Sequence, residues 1–293
     1  MKNTRASSHH AWLMLGAILL GPNPGAWAQR AQDNWYLETS WAKSGGTLSA
    51  TNGGLSTPYG VAIGPDGKVY VGDEAYSRIQ VYQPDGTYAF SITNTFGGGL
   101  SFSQPRGMVF GPDDNLYVAD RGRSRVFVFT PDGQFIRQIG ISSGAGTLPG
   151  VKDVGVSRDG EVFALQSGTQ LAQVSVFSST GDFLRSWGSY GTMTAQLYEP
   201  GSIAISADGR VFISTKTDPT GHVTGYGSRI KVFRGDGIYI TSLTISTLSW
   251  DGQGYPYNIV RMPCSLRFDH GGLLHAVADH FYVPHEHRNY VTY

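Results

Sequence analysis

The sequence predicts an all-β fold of four-stranded antiparallel sheets arranged as blades around an axis. Three observations carry this expectation. Short alternating apolar segments recur with a period in the forties. Turns of the Pro-Asp-Gly kind separate them. Glycine is abundant, at 40 of 293 residues, while only 15% of residues are charged, a balance that many short strands joined by tight turns produce. A single small sheet cannot bury both of its faces, so radial stacking into a β-propeller is the expected arrangement.

The chain opens with a segment of a different kind. Lys2 and Arg5 precede an apolar run from Ala11 to Leu20, and Ala26-Trp27-Ala28 forms a small-x-small cleavage site before Gln29. This pattern reads as a secretory signal peptide over residues 1–28. The apolar run is about half the roughly 20 residues that span a bilayer. The expected location is therefore periplasmic or secreted, with no membrane span after cleavage. Cys264 is the single cysteine, so an internal disulfide is excluded and the fold rests on its core. Cys264 itself reads as a small buried hydrophobe.

Residues 29–57 follow, and then the repeats occupy 58–293. The units start at Pro58, Pro105, Pro149, Pro200 and Pro263. In the second, Gly107–Phe110, Leu116–Val118, Arg125–Phe129 and Phe135–Ile139 are the expected strands. Pro112-Asp113-Asp114-Asn115 and Pro131-Asp132-Gly133 are the turns, because Pro presets φ and Asp and Gly tolerate turn conformations. No helical periodicity stands out beyond the signal segment.

The first two units read PYGVAIGPDGKVYVGDEAYSRIQVYQPDG and PRGMVFGPDDNLYVADRGRSRVFVFTPDG. They resemble the NHL repeat, and that resemblance implies a β-propeller, most often six-bladed. Five repeats are visible. Tyr293 aligns with the end of a third strand, while WYLETSWAKSGG from Trp35 resembles the fourth-strand segment DFLRSWGSYGT from Asp182. Two arrangements follow: five blades closed by the N-terminal strand, or six blades in a longer parent chain.

Function should lie on one face. The second-to-third strand loops and the blade connections share a face, and rigid scaffolds carry function in such loops. Three segments there are enlarged: Thr215 to Arg229, Leu243 to Pro263 and Asp279 to Asn289. They bring His222, Tyr226, Trp250, Asp251, Tyr255, Tyr257, His280, His285, Glu286 and His287 to one side of the channel mouth. Aromatic and polar groups gathered there predict a site for a peptide, glycan or protein partner.

Histidine enrichment raises a metal alternative. Five of the eight histidines fall between His270 and His287. In extended chain at ~3.3 Å per residue, His285 and His287 face the same side and could share an ion, with His280 as a third ligand. Glu286 points away, and His275 falls within a strand as a packing residue. The expectation is no cofactor. The alternative is a divalent metal such as zinc or calcium. Resemblance to propeller enzymes implies the corresponding activity, a metal-dependent lyase or lactonase-type hydrolase. The lyases hold zinc with histidines near the channel, but the first three units contain no histidine, so those ligands have no matching positions and no catalytic residue is assigned. Asp73/Arg78 and Asp120/Arg125 read as ion pairs that tie down their own loops, worth ~0.2–1 kcal/mol if exposed. No G-x-S-x-G elbow and no Gly-Lys phosphate loop occurs. Net charge is zero, with 22 Lys+Arg against 22 Asp+Glu, which together with export excludes nucleic acid as the partner.

Overall fold

The computed structural model describes residues 52–93, 96–216, 228–245, 248–250, 256–258, 263–268 and 272–278. Four complete antiparallel sheets follow one another in strict chain order. They comprise β1–β4 (Pro58–Ile63, Val69–Asp73, Arg78–Tyr82, Tyr88–Ile92), β5–β8 (Pro105–Phe110, Leu116–Asp120, Arg125–Phe129, Phe135–Ile139), β9–β12 (Val151–Val156, Val162–Gly168, Leu171–Phe177, Phe183–Trp187) and β13–β16 (Ile203–Ile205, Val211–Thr215, Ser228–Phe233, Tyr239–Ile245). A hairpin, β17–β18 (Leu248–Trp250, Pro256–Asn258), lies in the connection that follows. The pair β19–β20 (Pro263–Phe268, Leu274–Ala278) then begins a fifth sheet. No α-helix occurs among the described residues, and none there is long and apolar enough to cross a membrane. The signal segment, the N-terminal strand and the expected strand ending at Tyr293 lie outside the described residues.

The strands of the second unit match their expected positions to within two residues. Each turn is set by its own side chains. Asp66, Asp85 and Asp113 accept the backbone N–H two residues on, at Lys68, Thr87 and Asn115, the local bond that makes Asp a turn former. In the Ser-Arg turns, Ser77 and Ser124 sit at φ 50° and 55°.

Alternate residues of each strand enter two different cores, as period-2 geometry requires. Leu116 and Val118 pack with Tyr70, Ile79 and Val81 of the first blade. Their neighbours Tyr117 and Ala119 pack with Val151, Val154 and Val162 of the third. The same interleaving joins blades three and four around Ile203 and Phe233, and blade four to β19–β20 around Leu266 and Leu274. The cores therefore lie between blades, and each blade is stabilised by its neighbours.

Polar struts repeat the same logic at the rim. Tyr70 Oη donates to the Pro131 carbonyl in the next blade. Arg137 donates to Ser179 O at 2.5 Å. Arg185, paired in two hydrogen bonds with Glu161, and Trp187 Nε1 both reach Gly235 O. Each strut runs from one blade to the third-to-fourth strand turn of the following one.

The innermost strands β1, β5, β9, β13 and β19 adjoin in sequence around the axis. Gly60 fits β5 because an added Cβ would lie 1.9 Å from Arg106 O. On the other side of β1, Tyr59, Val61 and Ile63 are exposed. That is the side on which the ring continues under both arrangements expected from the sequence.

One buried cation stands apart. Lys231 on β15 is only 4% exposed, and its ammonium donates to Met193 O and Gln196 O. Burial, with Arg229 adding repulsion, pushes its pKa down to about 8. The folded state thus holds this proton less tightly than the unfolded chain, whose lysine titrates near 10.5. Stability from this site therefore rises with pH between about 8 and 10.5. The wild type should gain on Lys231→Met across that window in denaturant midpoint. A pH-independent difference would remove this assignment.

Candidate functional site at the channel mouth

The Asp shared by the first two units has a definite task. Asp73 accepts the N–H groups of Ser56 and Thr57 at 3.3 and 3.1 Å. Asp120 accepts those of Ser103 and Gln104 at 2.7 and 3.0 Å, and Arg123 N–H at 3.0 Å. Both carboxylates are fully buried. They fasten the incoming blade connection to the end of the second strand. Gln166 does the equivalent in the third unit with reversed polarity, donating to Thr147 O and Pro149 O. Thr215 does both in the fourth, accepting Tyr198 N–H and donating to Tyr198 O.

This alters the ion-pair expectation. Arg78 does pair with Asp73, at 3.3 Å, but the pair is buried rather than exposed. Arg125 does not pair with Asp120. Its guanidinium donates to Ser124 O, Ile141 O and Ser142 Oγ. Asp120 is already engaged by three backbone donors, so Arg125 is free to hold the next connection.

On the axis, an ionic plug joins four of the units. Asp153, on β9, is 3% exposed as a side chain, and Arg267, on β19, contacts it with both guanidinium nitrogens at 2.9 and 3.1 Å. Arg267 also donates to Ile203 O at 3.2 Å and across to Met108 O at 3.0 Å. Asp153 further accepts Ser202 Oγ and Ile203 N–H. Gly107 makes the close approach possible, since a Cβ there would lie 1.9 Å from Asp153 Oδ1. The plug thus ties the inner strands β5, β9, β13 and β19 to one another.

Two sets of equivalent positions surround that mouth. One is the residue that follows each pinning side chain Asp73, Asp120, Gln166 and Thr215, namely Glu74, Arg121, Ser167 and Lys216. Their N–H groups donate to Thr57 O, Gln104 O, Gly150 O and Tyr198 O, each at 3.0 Å. The other is the second residue of the innermost strands, Tyr59, Arg106 and Lys152. Glu74 pairs with Arg106 at 3.2 Å, and Glu199 with Lys216 at 2.5 Å. The Arg106 guanidinium lies 4.5 Å over the Tyr59 ring. Burial, reinforced by Arg106, Arg121 and Lys216, holds the Lys152 pKa below the usual lysine range. Burial likewise raises the Tyr59 phenol, against the pull of Arg106 and Arg121.

The residues expected to form the site fall mostly beyond this description. Trp250 and Tyr257 lie on β17 and β18, one position out of register across the hairpin, where Ser249 faces Tyr257 and Trp250 faces Pro256. His222, Tyr226, Asp251, Tyr255, His280, His285, Glu286 and His287 lie outside the described residues. The Lys216 end of the mouth leads directly into the first enlarged loop. His275 is on β20, opposite Arg267 in register, as a strand residue should be. Cys264 lies on β19. Among the described residues no group of three or more His, Cys, Asp or Glu side chains is placed to hold a metal.

Sequence reasoning missed Asp153, Arg267, Arg121 and Lys152. The signal was present in the repeats. Asp153 occupies the position of Gly60 and Gly107, and Arg267 that of Ala62, Val109 and Ala204.

Repeated four-stranded antiparallel sheets, cores between blades and a plugged axis define a β-propeller. Residues 102–129 match the NHL repeat, a span that holds the first three strands of blade two, β5 to β7. A comparison with curated protein sequences found no match. Among solved structures, a gluconolactonase from Xanthomonas campestris is 17% identical with a TM-score of 0.53, covering 76% of this chain and 70% of that one. A catalytically inactive virginiamycin B lyase from Staphylococcus aureus, solved with quinupristin, is 16% identical with a TM-score of 0.50, covering 75% and 63%. A streptogramin B lyase is 16% identical with a TM-score of 0.47, covering 75% and 62%. The chain thus spans less than two thirds of either lyase. At these identities the likeness is one of fold.

Proposed function

We propose that this chain is an exported β-propeller scaffold that binds a peptide, glycan or protein partner on the face formed by the blade connections. The observation that carries this reading is the Arg267–Asp153 plug. Small-molecule sites are concave and bury most of their ligand. The plug ties β5, β9, β13 and β19 together at the axis, so the blade connections stand on a fixed base, which suits a partner that covers area. The hairpin β17–β18 enlarges that same connection face. Its residues Trp250 and Tyr257 belong to the types that anchor interfaces.

The test is a capture experiment with the mature chain. Alanine at Trp250, Tyr255 and His285 together should abolish retention of a defined partner from native extracts, with the melting temperature unchanged. Undiminished retention would contradict the proposal. Elemental analysis before and after chelation covers the competing lyase or hydrolase reading. Stoichiometric zinc or calcium whose removal abolishes lactone or lyase turnover would replace the scaffold reading with that one.

A further inference from the structure

Among the described residues, the charge at the mouth is unbalanced although the chain as a whole is neutral. Arg106 and Lys216 have carboxylate partners in Glu74 and Glu199. Arg121 and Lys152 do not. Among the described residues, the Arg121 side chain makes no hydrogen bond or ion pair, and Lys152 reaches only the Pro200 carbonyl, at 3.3 Å. Two other acids among the described residues are otherwise engaged: Asp120 by three backbone N–H groups, and Asp153 by Arg267 and Ser202. Beside these two cations the Arg106 guanidinium lies over the Tyr59 ring.

Each part has a chemical counterpart. A partly desolvated cation with only a carbonyl partner gains most from a carboxylate, because charge-assisted bonds are roughly twice as strong as neutral ones. Arg is among the residue types that dominate the binding energy of protein interfaces. A cationic mouth also speeds encounter with an acidic partner.

We propose that the channel mouth binds an acidic segment of a protein partner, its carboxylates taken by Arg121 and Lys152. This rests on the scaffold reading and names the partner chemistry. It adds charged anchors on blades two and three to those of the enlarged loops.

The probe is a fluorescein-labelled peptide of alternating Glu and Tyr, with a Gln and Tyr peptide of the same length as its neutral counterpart. The expected result is binding of the Glu peptide that weakens with added salt, and at least about tenfold weaker binding of the Gln peptide. Arg121→Ala with Lys152→Ala should lose about tenfold or more for the Glu peptide. Arg234→Ala, which removes an exposed cation from a turn on the opposite face, should change nothing. Matching melting temperatures establish that the double variant is folded. Equal binding of both peptides at the mouth would overturn the acidic preference while leaving the scaffold reading intact. Unchanged binding by the folded double variant would overturn the assignment of Arg121 and Lys152. Tighter binding of oligogalacturonate than of the Glu peptide would overturn it in favour of an acidic glycan. Binding of none of these probes would overturn the proposal, and only if the capture experiment also failed would the scaffold reading fall with it.

Discussion

Replacing Asp153 with alanine is expected to lower folding stability by about 3–5 kcal/mol, the range for removing one partner of a buried ion pair. The cost comes mainly from what is left behind. Arg267 keeps its charge, and its guanidinium loses both carboxylate contacts while Nε is already buried without a partner. Ser202 Oγ and Ile203 N–H lose their acceptor as well. Arg267 retains some solvent access, at 26% of its side chain, which places the loss toward the lower end. Replacing both partners, Asp153→Ala with Arg267→Met, should recover a large part of it, because the pair is costly to bury and costlier to break. Denaturant midpoints of the two variants decide the matter. A single variant within about 1 kcal/mol of wild type would mean that the plug is an exposed pair of little consequence.

The second large effect is at Asp120. Asp120→Ala should cost about 3 kcal/mol, since three backbone N–H groups lose their acceptor and each buried orphan costs about 1–3 kcal/mol, less where water can reach it. Arg125→Ala should cost less than about 1 kcal/mol, because its acceptors are two carbonyls and a hydroxyl near the surface. Asp120→Asn should fall between, keeping one acceptor oxygen. If the two alanine variants were equally destabilised, the residues would act as a pair, as their spacing alone had implied. The contrast therefore separates capping of the blade connection from a local salt bridge.

That spacing shows where sequence reading works here and where it stops. Strand positions were legible because turn chemistry and apolar alternation are local. Pro131-Asp132-Gly133 and the runs around it predict β7 and β8 with no knowledge of the rest of the chain. The Asp-to-Arg interval is also local, but the partners of Asp120 belong to Ser103 and Gln104, in the preceding connection. A five-residue interval cannot reveal those. Asp153 and Arg267 are further apart still, at 114 positions. Only aligning the repeats, and noticing a charge where the other units have glycine or a small apolar residue, would have singled them out. The histidine-rich C-terminal loop drew attention by composition. The charged mouth did not, because its residues are scattered over separate units and the net charge of the chain is zero.

The architecture also accounts for why a site should form at the mouth at all. The blade connections are pinned by buried side chains at Asp73, Asp120, Gln166 and Thr215, so the residues that follow them are presented on fixed backbone. Glu74, Arg121 and Lys216 are thus held in place without spending their own side chains. Preorganisation of this kind lowers the ordering cost of binding.

Face-specific photo-crosslinking tests the central claim most directly. A photoreactive residue at Thr57, exposed beside Tyr59 on the connection face, is compared with one at Asp159, exposed in the turn between β9 and β10 on the opposite face. Both proteins are irradiated in native extract with and without excess unmodified chain. The account predicts a discrete adduct from position 57 that the unmodified chain competes away, and none from position 159. A competed adduct from position 159 alone, or the same adduct from both positions, would contradict it.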